Sequence, residues 1–179
     1  YGLPTHKALS RFYTQAQRGR LQQVAHSRQV TKYRSAIVHA AAVAWSHRSS
    51  MRYSQSASRG LLPSLPRVPS ATDCSGYATW LYKVSGLLPS GLSFHLPDPN
   101  GFNYGIVGYT GTLALHGPRL SANGRLFPGD LVVYGGGYPF GHVAVVVDGL
   151  RRLVSSHGSP GIKVVPFNYR PVSVIRRYF

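Results

Sequence analysis

The sequence predicts an α+β chain in which helices pack against an antiparallel sheet, and three observations predict it. A helical run begins at Cys74, where Tyr77, Trp80, Leu81 and Val84 fall at i, i+3, i+4 and i+7 on one apolar face before Gly86 supplies a stop. A second helix is expected from Tyr33 to about Arg48, because Ala36 to Trp45 is alanine-rich and Ile37, Ala41, Ala44 and Trp45 share a face. From Leu131 onward the pattern changes to short runs of valine, leucine and isoleucine separated by turn residues, the signature of hairpin strands.

Taken in order, residues 1–30 are polar, with few apolar positions, and read as a helical arm or an extension. After the Tyr33 helix, residues 54–70 form a Ser/Pro-rich loop, and the Cys74 helix runs to about Ser85. Leu87 to Phe127 is long and rich in glycine and proline, with turns at Asp98-Pro99-Asn100-Gly101 and Gly108-Tyr109-Thr110-Gly111. A segment of that kind is commonly functional and is placed on a cleft rim, with His95 and His116 as surface residues. Four strands are then expected: Leu131 to Tyr134, His142 to Val147, Leu150 to Ser156, and Val172 to Phe179. Asp148-Gly149 reads as a two-residue hairpin loop. That loop pairs Val147 with Leu150 and His142 with Ser155, which makes His157 a diagonal neighbour of His142 on the same face. A loop one residue longer turns His157 to the opposite face.

The chemistry centres on Cys74, the only cysteine of the chain, in Asp73-Cys74-Ser75-Gly76. A thiol in a first helical turn faces unpaired N–H groups and the positive end of the helix dipole, both of which favour thiolate. A lone cysteine is more often an inert core residue, and a histidine on an apolar strand is as often structural. Together, though, a thiol, a strand histidine and a polar group that orients it make a nucleophile–base–orienter set. One cysteine and two histidines would also suit zinc, but no second metal-type pair accompanies them, and no cofactor is implied. The glycine run 135–137 reads as a hairpin loop, since it lacks the Lys-Ser/Thr of a phosphate-binding loop.

Four segments in order, Asp-Cys-Ser-Gly-Tyr, Pro-Gly-Asp-Leu-Val-Val-Tyr, Gly-His-Val-Ala-Val-Val-Val and Val-Ser-Ser-His-Gly-Ser, resemble the NlpC-type papain-like cysteine peptidases of bacterial cell-wall metabolism. The resemblance covers roughly Met51 to Phe179. It implies a papain-like fold, with Cys74 as nucleophile, His142 as base and His157 as the orienting third member. It also implies that Asp73 and Ser75 meet the free amino end of a wall stem peptide. Tyr53 looks like the family's tyrosine upstream of the nucleophile, which lines the site and donates to the oxyanion. Its spacing to Cys74 is longer than the family's, and Pro63, Pro66 and Pro69 mark an inserted loop. The Cys74 N–H is the second expected oxyanion donor. Pro-Asp-Pro-Asn-Gly, Gly-Tyr-Thr-Gly-Thr-Leu and Asn-Tyr-Arg-Pro-Val resemble the version found in lysins of phages that attack actinobacteria.

The resemblance thus implies a peptidoglycan hydrolase that cuts a stem-peptide amide, usually between D-glutamate and the diamino acid. Two other readings stand beside it. One is an amidase cutting between muramic acid and L-alanine. The other is a basic virion or nucleic-acid-binding protein with a vestigial site. The expected organisation is a basic N-terminal helical segment, residues 1–50, followed by a peptidase domain, residues 51–179. Residues 1–68 carry eleven Lys or Arg and no acid, and the whole chain has a net charge of +16. That field favours a polyanion: anionic wall polymers, nucleic acid or an acidic membrane surface. No apolar stretch is long enough for a transmembrane segment. A single cysteine rules out an internal disulfide framework. The chain begins at Tyr1, which reads as a processed or excised piece of a longer product acting outside the cell, at the wall or in a virion.

Overall fold

The computed structural model describes residues 15–55, 62–86, 110–115, 117–135 and 141–178. His95, His116, the Asp98–Gly101 turn and most of the glycine run at 135–137 lie outside them. The chain divides into two compact units, Tyr1–Lys32 and Tyr33–Phe179.

The first unit contains the start of helix α1, Gln15–Ser46. The helix begins some eighteen residues before the expected Tyr33. Residues 15–32 carry no apolar stripe that periodicity can detect, and good helix formers such as Gln, Arg, Ala and Leu sustain the helix there. Ser27 and Thr31 donate their hydroxyls back to the carbonyls of Gln23 and Ser27, a local partner for polar groups on an exposed helix.

Among its described residues the second unit is α+β, with helices packed on an antiparallel sheet. Strands β3 (Arg119–Leu120), β4 (Leu131–Tyr134), β5 (His142–Asp148), β6 (Leu153–Gly158), β7 (Gly161–Pro166) and β8 (Val172–Arg176) form one sheet, in the order β3-β8-β4-β5-β6-β7. All its neighbouring pairs are antiparallel. Alternation along the strands divides the core. Val133, Val143, Val145 and Ile162 face the helices, meeting Ile37, Ala40 and Ala44 of α1, Trp80 and Leu81 of α2 (Cys74–Val84) and Leu113 of α3 (Thr110–Leu115). Val132, Tyr134, Ala144, Val146, Val154 and Ile175 face the other way, under Leu126, Phe167 and Tyr169.

Helix α2 is enclosed rather than amphipathic. Its apolar face was expected, but Ala78, Thr79 and Tyr82 are buried as well. The 62–69 segment covers one side, where Trp80 Nε1 donates to the Pro63 carbonyl at 2.8 Å. On other sides the Tyr82 hydroxyl donates to Gly129 O at 2.8 Å, and Tyr77 shares a 2.8 Å hydrogen bond with Ser155 Oγ. Each large apolar side chain buried here contributes on the order of 1.5–3 kcal/mol. Two short parallel strands, β1 (Arg52–Tyr53) and β2 (Ala71–Thr72), bring Tyr53 beside Thr72 at the entrance to α2.

Three expectations need correction. The Leu87 to Phe127 stretch is not all loop, since it contains α3 and β3. A strand missed by the pattern, β7, follows Ser159-Pro160, and only Ile162 of it is buried. The β5–β6 turn is not the two-residue loop. Ala144 pairs with Ser156 and Val145 with Ser155, a bulge separates Val146 from Asp148, and Gly149 to Arg152 make the turn. Asp148 Oδ1 accepts the Arg151 N–H at 2.9 Å, so the aspartate braces a longer turn instead of occupying a short one.

Candidate active site

Cys74 is the first residue of α2, and the sequence before it explains why the helix starts there. Asp73 is extended, with φ −98° and ψ −171°, and its Oδ1 accepts the Gly76 N–H at 2.8 Å and the Ser75 hydroxyl at 3.0 Å. A carboxylate cap of this kind is worth about 1 kcal/mol to the helix. Asp73 and Ser75 are both buried. The structure therefore gives Asp73 a capping role in addition to any it has toward a ligand.

The Cys74 sulfur lies 3.8 Å from Thr110 Oγ1, at the start of α3. Burial pushes the thiol up to about 11, the Asp73 carboxylate adds to the rise, and the backbone of Val143 and the Thr110 hydroxyl oppose it. The expected helix-start thiolate is thus not the resting form, because desolvation of a negative charge outweighs the helix dipole here.

His142 opens β5 opposite Tyr134 and stacks on its ring, with centroids 5.9 Å apart. Its Nε2 lies 2.6 Å from Ser156 Oγ, which in turn lies 2.9 Å from the Tyr169 hydroxyl. Tyr169 closes over the imidazole edge-on at 6.4 Å. Burial, helped by Arg170, lowers His142 to about 4, against an opposing pull from Asp73. Burial raises Tyr169, the Ser156 hydroxyl and Arg170 pull it back, and the Cys74 charge adds slightly to the rise. His142, Ser156 and Tyr169 form one hydrogen-bonded group on the Tyr134 side of the sheet, Cys74 belongs to the helix-side core, and among the described residues no hydrogen bond joins Cys74 to either histidine.

His157 is not the diagonal neighbour of His142. The bulge and the longer turn shift the register, so Ser156 and Gly158 share the His142 face, and a Cβ on Gly158 would sit 3.7 Å from His142 Cε1. His157 pairs with Ile162 and faces the helices, its ring edge-on to Tyr53 at 5.6 Å and to Tyr77 at 5.7 Å. It is fully buried, and neither ring nitrogen has a hydrogen-bond partner among the described residues. Burial lowers its pKa, while the nearby Met51 backbone and Asp73 pull the other way. Tyr53 thus stands against His157, whose strand lies next to that of His142.

Sequence reasoning missed Ser156, Tyr169 and Thr110. A serine beside an expected strand end and a tyrosine in a turn carry no spacing signal, and Thr110 reaches the sulfur only through the fold.

No protein-family model matches the chain, and no curated protein is similar to it in sequence. Its fold is similar to solved structures. NlpC2 from Trichomonas vaginalis is 19% identical over 80% of this chain and 46% of that one, with a TM-score of 0.53. NlpC1 from the same organism is 20% identical over 79% of this chain and 44% of that one, with a TM-score of 0.52. The chain spans less than half the length of either. It has the NlpC-type α+β fold that the order of its motifs led us to expect.

Proposed function

We propose that the chain is a cysteine endopeptidase that hydrolyses a stem-peptide amide of bacterial peptidoglycan, at the bond between D-glutamate and the diamino acid. The observation that carries this reading is the placement of Cys74, at a capped helix start, against the backbone of Val143, the residue that follows His142 in β5. Supporting it is the NlpC-type fold.

A neutral thiol and a neutral imidazole prescribe general-base rather than ion-pair chemistry. The neutral tautomer that suits this carries its proton on Nε2 and donates it to Ser156 Oγ, whose own proton goes to Tyr169. Nδ1 then keeps the lone pair. As Sγ bonds to the carbonyl carbon, Nδ1 takes the thiol proton and the carbonyl oxygen becomes an oxyanion. The Cys74 N–H, with Tyr53 as a second donor, stabilises that oxyanion. Collapse of the intermediate breaks the C–N bond, and the imidazolium protonates the departing amine. Water, deprotonated by His142, then hydrolyses the thioester and returns the thiol. Asp73 and Ser75, beside the sulfur, meet the amino end of the stem.

Two residues compete for the orienting position. The resemblance carries His157, and the 2.6 Å contact carries Ser156; the contact favours Ser156. The basic residues 1–68 suit attachment to an anionic wall, which supports action outside the cell or in a phage particle.

Mass spectrometry of digests of purified peptidoglycan tests the reading. New amino termini on the diamino acid, absent with Cys74→Ala, are expected. New termini on L-alanine would assign the amidase reading, and intact wall with both proteins would overturn hydrolysis.

A further inference from the structure

The end of the sheet away from His142 carries a cavity. Strand β5 runs seven residues from His142 to Asp148, so the two ends stand about 20 Å apart at 3.2–3.4 Å per residue. There a pocket of about 490 Å³ is lined by Asn123, Arg151, Arg152, Pro166, Phe167 and Asn168.

Its parts are of two kinds. Arg152 is fixed: its guanidinium stacks 4.1 Å over Phe167 and donates to the carbonyls of Gly124, at 2.9 Å, and Ala122. Its backbone is left-handed, with φ +55°, a conformation that non-glycine residues adopt at a cost. Gly149, in the same turn, admits no side chain, because a Cβ would lie 2.1 Å from Leu126 O. Turn and loop are therefore locked together. The remaining groups are uncommitted. The Asn123 and Asn168 side-chain amides make no hydrogen bond to the described residues. Arg151 is 81% exposed and reaches Asp148 only at 4.0 Å.

The charge around the pocket is one-sided. On the other side of the 121–128 loop, Arg34, Arg125 and Arg177 all lie within 4.7 Å of the Phe127 ring centroid. Asp130 engages Arg177 through two 2.7 Å hydrogen bonds. Of these guanidiniums Arg151 and Arg152 line the pocket itself, with Asp148 as the carboxylate beside Arg151. An arginine fork matches a carboxylate or a phosphate, and an amide both donates to and accepts from hydroxyls.

We propose that this pocket binds a sugar bearing a carboxylate or phosphate, a unit of the polymer whose peptide is cut at Cys74; the identity of the polymer rests on the hydrolase reading. Arg151 pairs with the anion, Asn123 and Asn168 hydrogen-bond the hydroxyls, and Pro166 and Phe167 supply the apolar floor. Single-stranded nucleic acid fits less well, because it needs open aromatic faces for its bases, and guanidiniums cover Phe127 and Phe167.

The test is calorimetric titration of the full-length Cys74→Ala protein, which digests nothing, with N-acetylmuramic acid, glucose 6-phosphate, neutral N-acetylglucosamine, inorganic phosphate and a single-stranded oligonucleotide. At least one anionic sugar should bind roughly tenfold or more tighter than the neutral one and than phosphate, and which one binds better names the source of the anion. Arg151→Gln with Asn168→Ala should weaken that binding by about tenfold or more at unchanged Tm. Failure of both anionic sugars to bind, or equal binding of the neutral sugar or of phosphate alone, would overturn the proposal. So would oligonucleotide binding that exceeds sugar binding and ignores the double substitution. In an otherwise wild-type chain the double substitution should leave cleavage of a short sugar-free stem peptide unchanged. Failure of the pocket is thereby separated from failure of the hydrolase reading, which would abolish cleavage and leave sugar binding intact.

Discussion

Alkylation of Cys74 by iodoacetamide, followed as a function of pH, probes the buried thiol directly. The thiol stands near 11 where an ordinary one stands at 9.0. At pH 7 its thiolate fraction is therefore about one in 10⁴, against about one in 10² for a free cysteine, a hundredfold deficit. A more basic thiolate is a better nucleophile, and a Brønsted slope of about 0.45 returns roughly a factor of eight. Net labelling should be about tenfold slower than free cysteine, and slower still to the extent that burial excludes the reagent. The rate should climb with pH and show no plateau below about pH 10. Asp73→Asn keeps a cap and removes the neighbouring negative charge, so it should speed labelling. The assay is mass-spectrometric quantification of the carbamidomethyl adduct over time. Labelling faster than free cysteine at pH 5–6, with a plateau there, would mean a preformed thiolate–imidazolium pair and would refute the general-base argument.

Three further outcomes follow from contacts already described. Ser156→Ala should lower kcat by roughly tenfold to a hundredfold and move the acid limb of its pH profile, because the imidazole loses its orienting partner; a larger loss with His157→Ala and no change with Ser156→Ala would return the orienting role to His157. His142 has a folded pKa depressed from 6.5 to about 4, so the unfolded chain takes up its proton first. Stability should therefore be fully present above pH 6.5 and fall by about 3 kcal/mol toward pH 4, seen as a drop in urea midpoint that His142→Gln lacks; a flat profile would contradict the burial. Asp130→Asn breaks a buried bidentate pair with Arg177 and should cost about 3 kcal/mol in urea unfolding. A loss under about 1 kcal/mol would show that the neighbouring carbonyls suffice for the guanidinium.

Where side-chain period and burial coincide, the sequence was legible. Helix α2 starts at Cys74 because Asp73 caps it, and both signals are local. Strands β4 and β5 announce themselves as valine runs between glycine and proline turns. Strand β7 did not, because Ser159-Pro160-Gly161 reads as the end of a hairpin and only Ile162 of the strand enters the core. The register failed for a reason no pattern reveals: the Asp148–Arg151 brace lengthens the turn, and a bulge absorbs one residue. That one slip decides which polar group faces His142. Ser156 replaces His157, and the resemblance, which compares residue types in order, is blind to it. Cys74 was found by its motif, yet its protonation depends on enclosure by parts distant in sequence, Thr110 among them.

The two-residue parallel ribbon at Tyr53 and Thr72 clamps both ends of the intervening stretch, whose 62–69 part packs on α2. Its stem is clamped where Arg52 meets Ala71 and Tyr53 meets Thr72, with the Ser54 N–H bonded to the Thr72 carbonyl at 3.0 Å. Length added beyond that clamp does not shift Tyr53 along the chain that leads into Cys74. Doubling a flexible loop costs only about 0.6 kcal/mol of closure entropy. Added length in this stretch is therefore cheap so long as the 62–69 cover on Trp80 keeps its place.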